Sequence, residues 1–399
     1  MSLPPEAAPS PRKDARGAVF SGNRVVFALL LAAVAAAAGL SFLTVAPNRL
    51  VSGMGVRLSE LLSGGRILVL CPAAVLAAAA FVRPTRLTCG VAAAAASLAL
   101  AGVVWLAGDG AVQRSAVLSG NARVSLGGGF WVLAALAWLA GADAVQRLGL
   151  GLVWRVAAHA AVLMPALVLL SLGELDHLGL LKEYANRHDV FQAAWRRHLE
   201  IVLTTLVPSL GIGVPLGVAA ARNERLASSV FAVLNVIQTV PSIALFGLLI
   251  APLAWLANAL PTLGIGAVGL LPAVIALTLY ALLPIVHGTV SGLRQVPPGV
   301  VEAALGMGLT KRQLFWKVEA TLALPVLLSG LRVTAVQVVG LAVVAALIGA
   351  GGFGALVFQG LESSALDLVM LGVVPVVALS LLIDGGFRIL AAAFEGHGA

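Results

Sequence analysis

A chain of 399 residues in which 60% are hydrophobic and only 11% charged is not an ordinary soluble globule, where about 25% of residues carry charge. Its net charge of +8 comes from bases scattered between apolar runs instead of gathered in a stripe, which argues against a nucleic-acid surface and for loops flanking membrane spans. Cys71 and Cys89 both lie in or beside apolar stretches, so they form no CxxC and supply no disulfide framework.

In chain order, residues 1–24 carry Pro4, Pro5, Pro9 and Pro11 beside Arg12, Lys13, Arg16 and Arg24. Such a composition predicts a disordered cytosolic tail. Val25 to Ala46 follows as a first span. A cleaved signal peptide is the competing reading, because Thr44, Val45 and Ala46 end in small residues; the run exceeds the usual ~7–15 apolar residues, and Pro47 would follow the cut. Further apolar runs occupy Ile67–Val82, Thr88–Ala107, Val124–Ala142, Leu152–Gly173, Ile201–Ala221, Val230–Leu256, Val268–His287, Leu324–Gly349 and Leu368–Ala391. Lipid offers no partner to an open backbone, and the runs lack the alternation of a barrel strand, so they must be helices. The expectation is an all-α integral membrane protein of about ten transmembrane helices.

Charge bias orients them. With the amino terminus inside, the inner segments hold 16 Lys and Arg and the outer segments 9, in the sense of the positive-inside rule. The most polar stretch of the first half, residues 174–200, then lies outside as an amphipathic connector between an N-terminal five-helix part (25–173) and a C-terminal part (201–399). Phe191 to Trp195, followed by Arg196, Arg197 and His198, suggests an interfacial helix leading into the sixth span. His177, His188 and His198 are spaced 11 and 10 apart and match no metal-ligand motif.

Gln238, Thr239, Val240, Pro241 and Ser242 interrupt an apolar run. Prolines and polar groups inside a span mean broken backbone, tolerated only where protein packs it or a cavity is lined by it. Gln238, Thr239, Pro241, Ser242 and Tyr280 are therefore candidates for a translocation path, with Asn235 behind them. The alternative is a proline kink whose freed carbonyls those side chains satisfy. Gly213 and Gly217 form a small-xxx-small pair suited to helix packing. His159, alone in the fifth span, reads as a packed residue before a proton relay. Asp384 and Arg388 read as an i,i+4 helix pair.

The longest charge-bearing segment of the second half is Glu302 to Pro325. Pro297 and Pro298 suit the first positions of a helix, with Glu302 expected near its positive end. Gly308 fits the left-handed residue that closes the helix, and Thr310 with Gln313 makes a capping box opening a second helix over Lys311 to Glu319. The spacing predicts helix, glycine break, helix over residues 297–323.

Glu302-Ala303-Ala304, then Gly308, Val318 and a Leu324-Pro325 turn, resembles the EAA loop of type I ABC importer permeases. The family usually places Leu-Pro two residues after the position of Val318, where this chain has Ala320 and Thr321. Together with Gln238 to Ser242, Leu279 to Val286, Ile348 to Gly354 and Gly360-Leu361, the second half is similar to the glycine betaine, choline and carnitine subgroup. The five preceding spans look like the extension of Yeh-type betaine permeases. The resemblance implies a C-terminal type I (MetI-like) transmembrane domain and a cytosolic coupling loop using Glu302, Ala303, Ala304, Gly308, Thr310 and Lys311. It also implies ABC ATPase subunits that bind the ATP, a second permease copy or homologue, and a periplasmic or lipid-anchored solute-binding protein. No cofactor or metal of its own follows, and both termini are expected inside.

Other motif matches lack their context. Gly349-x-Gly351-x-x-Gly354 fits a dinucleotide fingerprint but follows a span, not a strand, and reads as a turn needing glycine dihedrals. Leu62-Ser63-Gly64-Gly65 is a fragment of the ABC ATPase signature in a chain with no GxxxxGK[ST], and no nucleophile elbow or HExxH supports an enzyme. An ABC permease for an amino acid such as methionine, an ion-coupled secondary transporter and a membrane scaffold or osmosensor remain as alternatives at this level.

Overall fold

The computed structural model describes residues 23–47, 53–117, 123–264 and 266–395; all but the last two residues of the expected tail, 1–24, lie outside them. The chain divides into two compact units, Met1–Leu178 and Gly179–Ala399.

The N-terminal unit opens with α1 (Arg24–Gly39), capped by Asn23, whose Oδ1 accepts from the Val25 and Val26 amides. The expected first span to Ala46 is corrected here. The helix stops after 16 residues, and Ser41–Ala46 forms β1. Phe42, Thr44 and Val45 favour an extended backbone, and two partners hold it there: β2 (Met54–Arg57) and β3 (Arg123–Leu126) flank β1 antiparallel in the order β2-β1-β3. Then follow α2 (Leu58–Leu61), a 3-10 segment over Gly64–Leu70, α3 (Cys71–Phe81), α4 (Arg86–Val117), α5 (Gly128–Arg147) and α6 (Leu152–Ser171). The core around α4 is alanine-built, with Ala92, Ala95, Ala96, Ala140 and Ala144 buried together. Small side chains allow close helix approach where lipid supplies no hydrophobic drive. Asn23 donates to Asp143 at 2.6 Å, Asp143 also holds Arg147 at 2.8 Å, and Arg147 returns to Asn23 at 3.2 Å. This closed polar triad fixes the start of α1 on the end of α5.

The second unit contains α7 (Gly179–Asn186), α8 (His188–Arg222), α9 (Glu224–Thr239), α10 (Ser242–Ala259), α11 (Leu270–Arg294), α12 (Pro298–Gly306), α13 (Lys311–Leu314), a π-turn over Phe315–Glu319, α14 (Ala320–Val344), α15 (Phe353–Glu362) and α16 (Leu366–Glu395). The interfacial helix expected near Phe191 is not separate: α8 runs unbroken for 35 residues, about 52 Å. The expected seventh span, Val230–Leu256, is two helices parted at Val240 and Pro241. Pro241 lacks an amide donor and biases Val240 towards extended backbone.

At the centre lies α11. A Cβ on Gly213 would sit 2.8 Å from Ile285, and one on Gly217 would sit 2.6 Å from Thr289. Both contacts advance together, so α8 and α11 run parallel. Gly288 faces Gly330 and Gly292 faces Ala323, so α14 runs antiparallel to α11. The ends of α8 and α11 and the start of α14 therefore share one end of the unit. At the other end, Gly349, Gly351 and Gly352 all have positive φ, from 75° to 82°, which makes this glycine run a turn. Arg197 donates to the Ala350 carbonyl at 2.8 Å, and Phe353 packs on Phe191, Trp195 and His198.

Among the described residues nine helices are long and apolar enough to cross a membrane; the expected span 25–46 is not among them. The fold is that of an all-α integral membrane protein carrying one small sheet.

Candidate functional site

The helix–glycine–helix segment is built as its sequence demands. Pro297 caps α12 and Pro298 takes its first position, where the missing amide costs no hydrogen bond. At the other end the Gly308 amide donates to Leu305 at 2.9 Å and the Leu309 amide to Ala304 at 3.2 Å. These two bonds are the Schellman pattern, and Gly308 supplies the left-handed residue at φ +82°. Thr310 then opens α13: its Oγ1 accepts from the Gln313 amide at 3.3 Å, while its own amide donates to Gln313 Oε1 at 2.9 Å. One helix is thus closed and the next opened within four residues.

Two expectations about this segment change. Glu302 stands in the second turn of α12, and no acidic residue occupies the first, so it lies beyond the reach of the helix's positive end. No turn forms at Leu324 and Pro325 either. The helix continues through Pro325, and α13, the π-turn and α14 form one helical run to the end of the span. The irregularity sits earlier, at Phe315–Glu319, where the helix widens to π spacing.

Sequence reasoning missed the anchor of that π-turn. Glu319 is buried at 6% exposure and forms a two-pronged ion pair with Arg222, at the end of α8; Nη1 lies 3.1 Å from Oε1, and Nη2 contacts Oε2. Residues 97 apart give no local signal. A buried carboxylate in an apolar helix start was the available clue, because such a charge needs a partner. Beside it Arg294, ending α11, pairs with Glu224, starting α9, at 2.9 Å. Asp384 holds Arg388 at 2.7 Å, as its spacing suggested, and also Arg332 of α14 at 3.6 Å.

Glu302, Ala303, Gly308, Thr310 and Lys311 are all exposed, whereas Ala304 is buried. Leu305, Met307 and Trp316 are 46%, 74% and 65% exposed. A rigid, capped segment at the end of the unit thus presents apolar side chains among polar ones.

The second group of candidate residues surrounds the break between α9 and α10. Gln238 donates to the Tyr280 carbonyl at 2.9 Å, and the Tyr280 hydroxyl donates to the Val240 carbonyl. Tyr280 is buried and Gln238 half-buried; the Tyr280 hydroxyl satisfies a carbonyl at the break, and Gln238 satisfies the α11 carbonyl that Pro284, lacking an amide donor, leaves free. Thr239 bonds Val236 of its own helix at 2.7 Å. Asn235, Thr239 and Pro241 are exposed and Ser242 half-buried. The break therefore binds α9 and α11 together and leaves a polar strip on the flank of α9.

These features can be compared with known proteins. Residues 213–396 match the family described as binding-protein-dependent transport system inner membrane component, and residues 23–181 match the N-terminal domain of the ABC transporter permease YehY. A carnitine transport permease protein, OpuCB of Listeria monocytogenes, is 38% identical over 50% of this chain and 85% of its own length. The chain belongs to the binding-protein-dependent transport permease family. Within it, an osmoprotectant import permease protein, OsmW of Salmonella typhimurium, is 41% identical over 47% of this permease and 84% of its own length. A glycine betaine/carnitine/choline transport system permease protein, OpuCB of Bacillus subtilis, is 36% identical over 47% and 80%. The chain is a multi-pass inner-membrane transport subunit of the extended Yeh type. In this family the permease is the membrane subunit and not itself a catalyst.

Proposed function

We propose that this permease carries a compatible solute of the quaternary ammonium class, such as glycine betaine, choline or carnitine, inward through an ATP-driven importer. The observation that carries the reading is the continuity of the capped segment with α14: a displacement of α12 passes through α13 and the π-turn into a spanning helix without a flexible joint. The Arg222–Glu319 pair extends the same displacement to α8. ABC ATPase subunits bind ATP and dock on the exposed face around Glu302, Ala303, Leu305 and Met307, which puts that end in the cytosol. The other contributors are Ala304 and Gly308, which shape the segment, and Thr310 and Lys311, which open its second helix.

Two permease copies, or this chain and a homologue, surround the path, and the strip of exposed Thr239 and Pro241 with half-buried Ser242 faces it. Tyr280 supports that strip by satisfying the Val240 carbonyl at the break, and Gln238 ties α9 to α11. A periplasmic or lipid-anchored binding protein delivers the solute at the opposite end. The names of the matched relatives support the solute class. Reconstitution of the permease with its ATPase and binding protein tests the reading. ATP-dependent uptake of radiolabelled betaine is expected; uptake that persists without ATP and collapses with an ion gradient overturns it.

A further inference from the structure

We infer that the N-terminal unit holds the end of one phospholipid acyl chain in a cavity between α1, the 3-10 segment, α3, α4 and α5. The cavity measures about 110 Å³, and its wall is almost wholly hydrocarbon, including Leu29, Ala33, Val69, Ala99, Val103 and Ala137. A buried water needs about 2–4 polar partners, and this wall has nothing to offer one. The choice is between an empty space and an apolar guest.

The fold explains both the gap and the guest. With its 16 residues, α1 is about 24 Å long, short of the roughly 30 Å of a bilayer's hydrocarbon core. The neighbouring span completes its length with the seven residues of the 3-10 segment, a thinner and more extended coil than an α-helix. One short helix and one slender segment thus stand where full helices would fill the layer, and the facing positions on α4 and α5 include small residues, Ala99 and Ala137, that do not reach across. On the outer side of the same two elements, Leu31, Val34, Ile67 and Leu68 are all more than half exposed. The medium next to the cavity is therefore lipid, and an acyl chain is the apolar molecule it supplies. The space is smaller than the ~150 Å³ apolar cavity that takes a benzene ring, so it admits the end of a single chain and excludes a fused-ring lipid.

The test uses the full chain in nanodiscs containing phosphatidylglycerol with a diazirine at the end of one acyl chain. After photolysis, labels are expected on Val103 and Ala137 as well as on Leu31 and Val34, which face surrounding lipid. Ala137→Phe, which fills the cavity, should lower labelling of Val103 by about fivefold while leaving Leu31 and Val34 unchanged. Labels confined to Leu31 and Val34 in the wild-type chain would mean a dry cavity and overturn the inference, as would unchanged Val103 labelling in the filled variant. Should Ala137→Phe fail to insert, the milder Ala99→Val must lower Val103 labelling by about twofold, and no decrease counts against the guest.

Discussion

Helix crossings of two kinds can be compared between the two units. In the N-terminal unit, where α5 crosses α6 and α4 crosses the 3-10 segment, a glycine meets a side chain: a Cβ on Gly141 would lie 2.9 Å from a Val162 methyl, and one on Gly102 would lie 2.6 Å from Val69. In the second unit the crossing of α11 and α14 is backbone on backbone. A Cβ on Gly288 would lie 3.2 Å from the Gly330 Cα, and one on Gly330 would lie 3.0 Å from the Pro284 carbonyl oxygen. Side chains can rotate aside, whereas two helix backbones can only separate. These two crossings of the first unit therefore have slack, whereas α11 and α14 form a close-coupled pair that moves together.

That contrast predicts the largest effect. Gly292→Ala should destabilise the permease by about 1–3 kcal/mol, because the added methyl would lie 2.8 Å from the Ala323 carbonyl oxygen and forces α11 and α14 apart, whereas Gly141→Ala, which meets only a side chain, should cost under about 1.5 kcal/mol. Thermal unfolding of the purified proteins reads the difference. Equal losses would show that the two crossings have the same tolerance and break the comparison.

Next in size is a functional effect without a structural one. Glu302 is exposed and makes no contact that holds the fold, so Glu302→Lys should leave insertion and thermal stability unchanged while lowering ATP-coupled uptake by tenfold or more, about 1.4 kcal/mol of lost docking. Normal uptake by this variant would remove the segment from the coupling mechanism. Arg222→Met should act on both properties. It strands a buried carboxylate at a cost of about 2 kcal/mol and disconnects α8 from the π-turn, so uptake should fall further than stability alone explains. Arg222→Lys, which keeps the charge but loses the fork, should recover part of both. Full uptake in Arg222→Met would make the pair a local tie with no part in transmission.

How much of this was legible before the structure depended on how local the cause was. Pro298, Gly308 and Thr310 with Gln313 each act over one turn of chain, so their caps could be read directly from spacing. Hydropathy found the spans, because a run of apolar residues is its own signal. It failed where composition and conformation part: residues 41–46 are as apolar as a span but rich in β-formers, and only the distant β2 and β3 decide that they pair as a strand. Likewise the run 230–256 hides a break that a single proline announces and the Tyr280 hydroxyl, 40 residues away, makes affordable. The Arg222–Glu319 pair and the cavity depend wholly on tertiary placement, and no spacing encodes them.

The smallest predicted effect is the sharpest test of the coupling segment. Gly308 has φ +82°, and nothing lies within 4 Å of the Cβ position it lacks, so a substitution there meets no steric neighbour and costs only what the left-handed backbone charges. For Ala that is about 1–2 kcal/mol, and for a β-branched residue more. Gly308→Val should therefore impair coupled uptake more than Gly308→Ala, and Gly308→Asn should be the mildest, since asparagine tolerates this conformation. The cost falls on the joint between α12 and α13, away from the packed crossing at Gly288, so global unfolding should hardly shift while coupling does. Equal uptake by the Val and Ala variants would mean that the joint opens freely, and an α12 hinged in that way could not pass its displacement to α14.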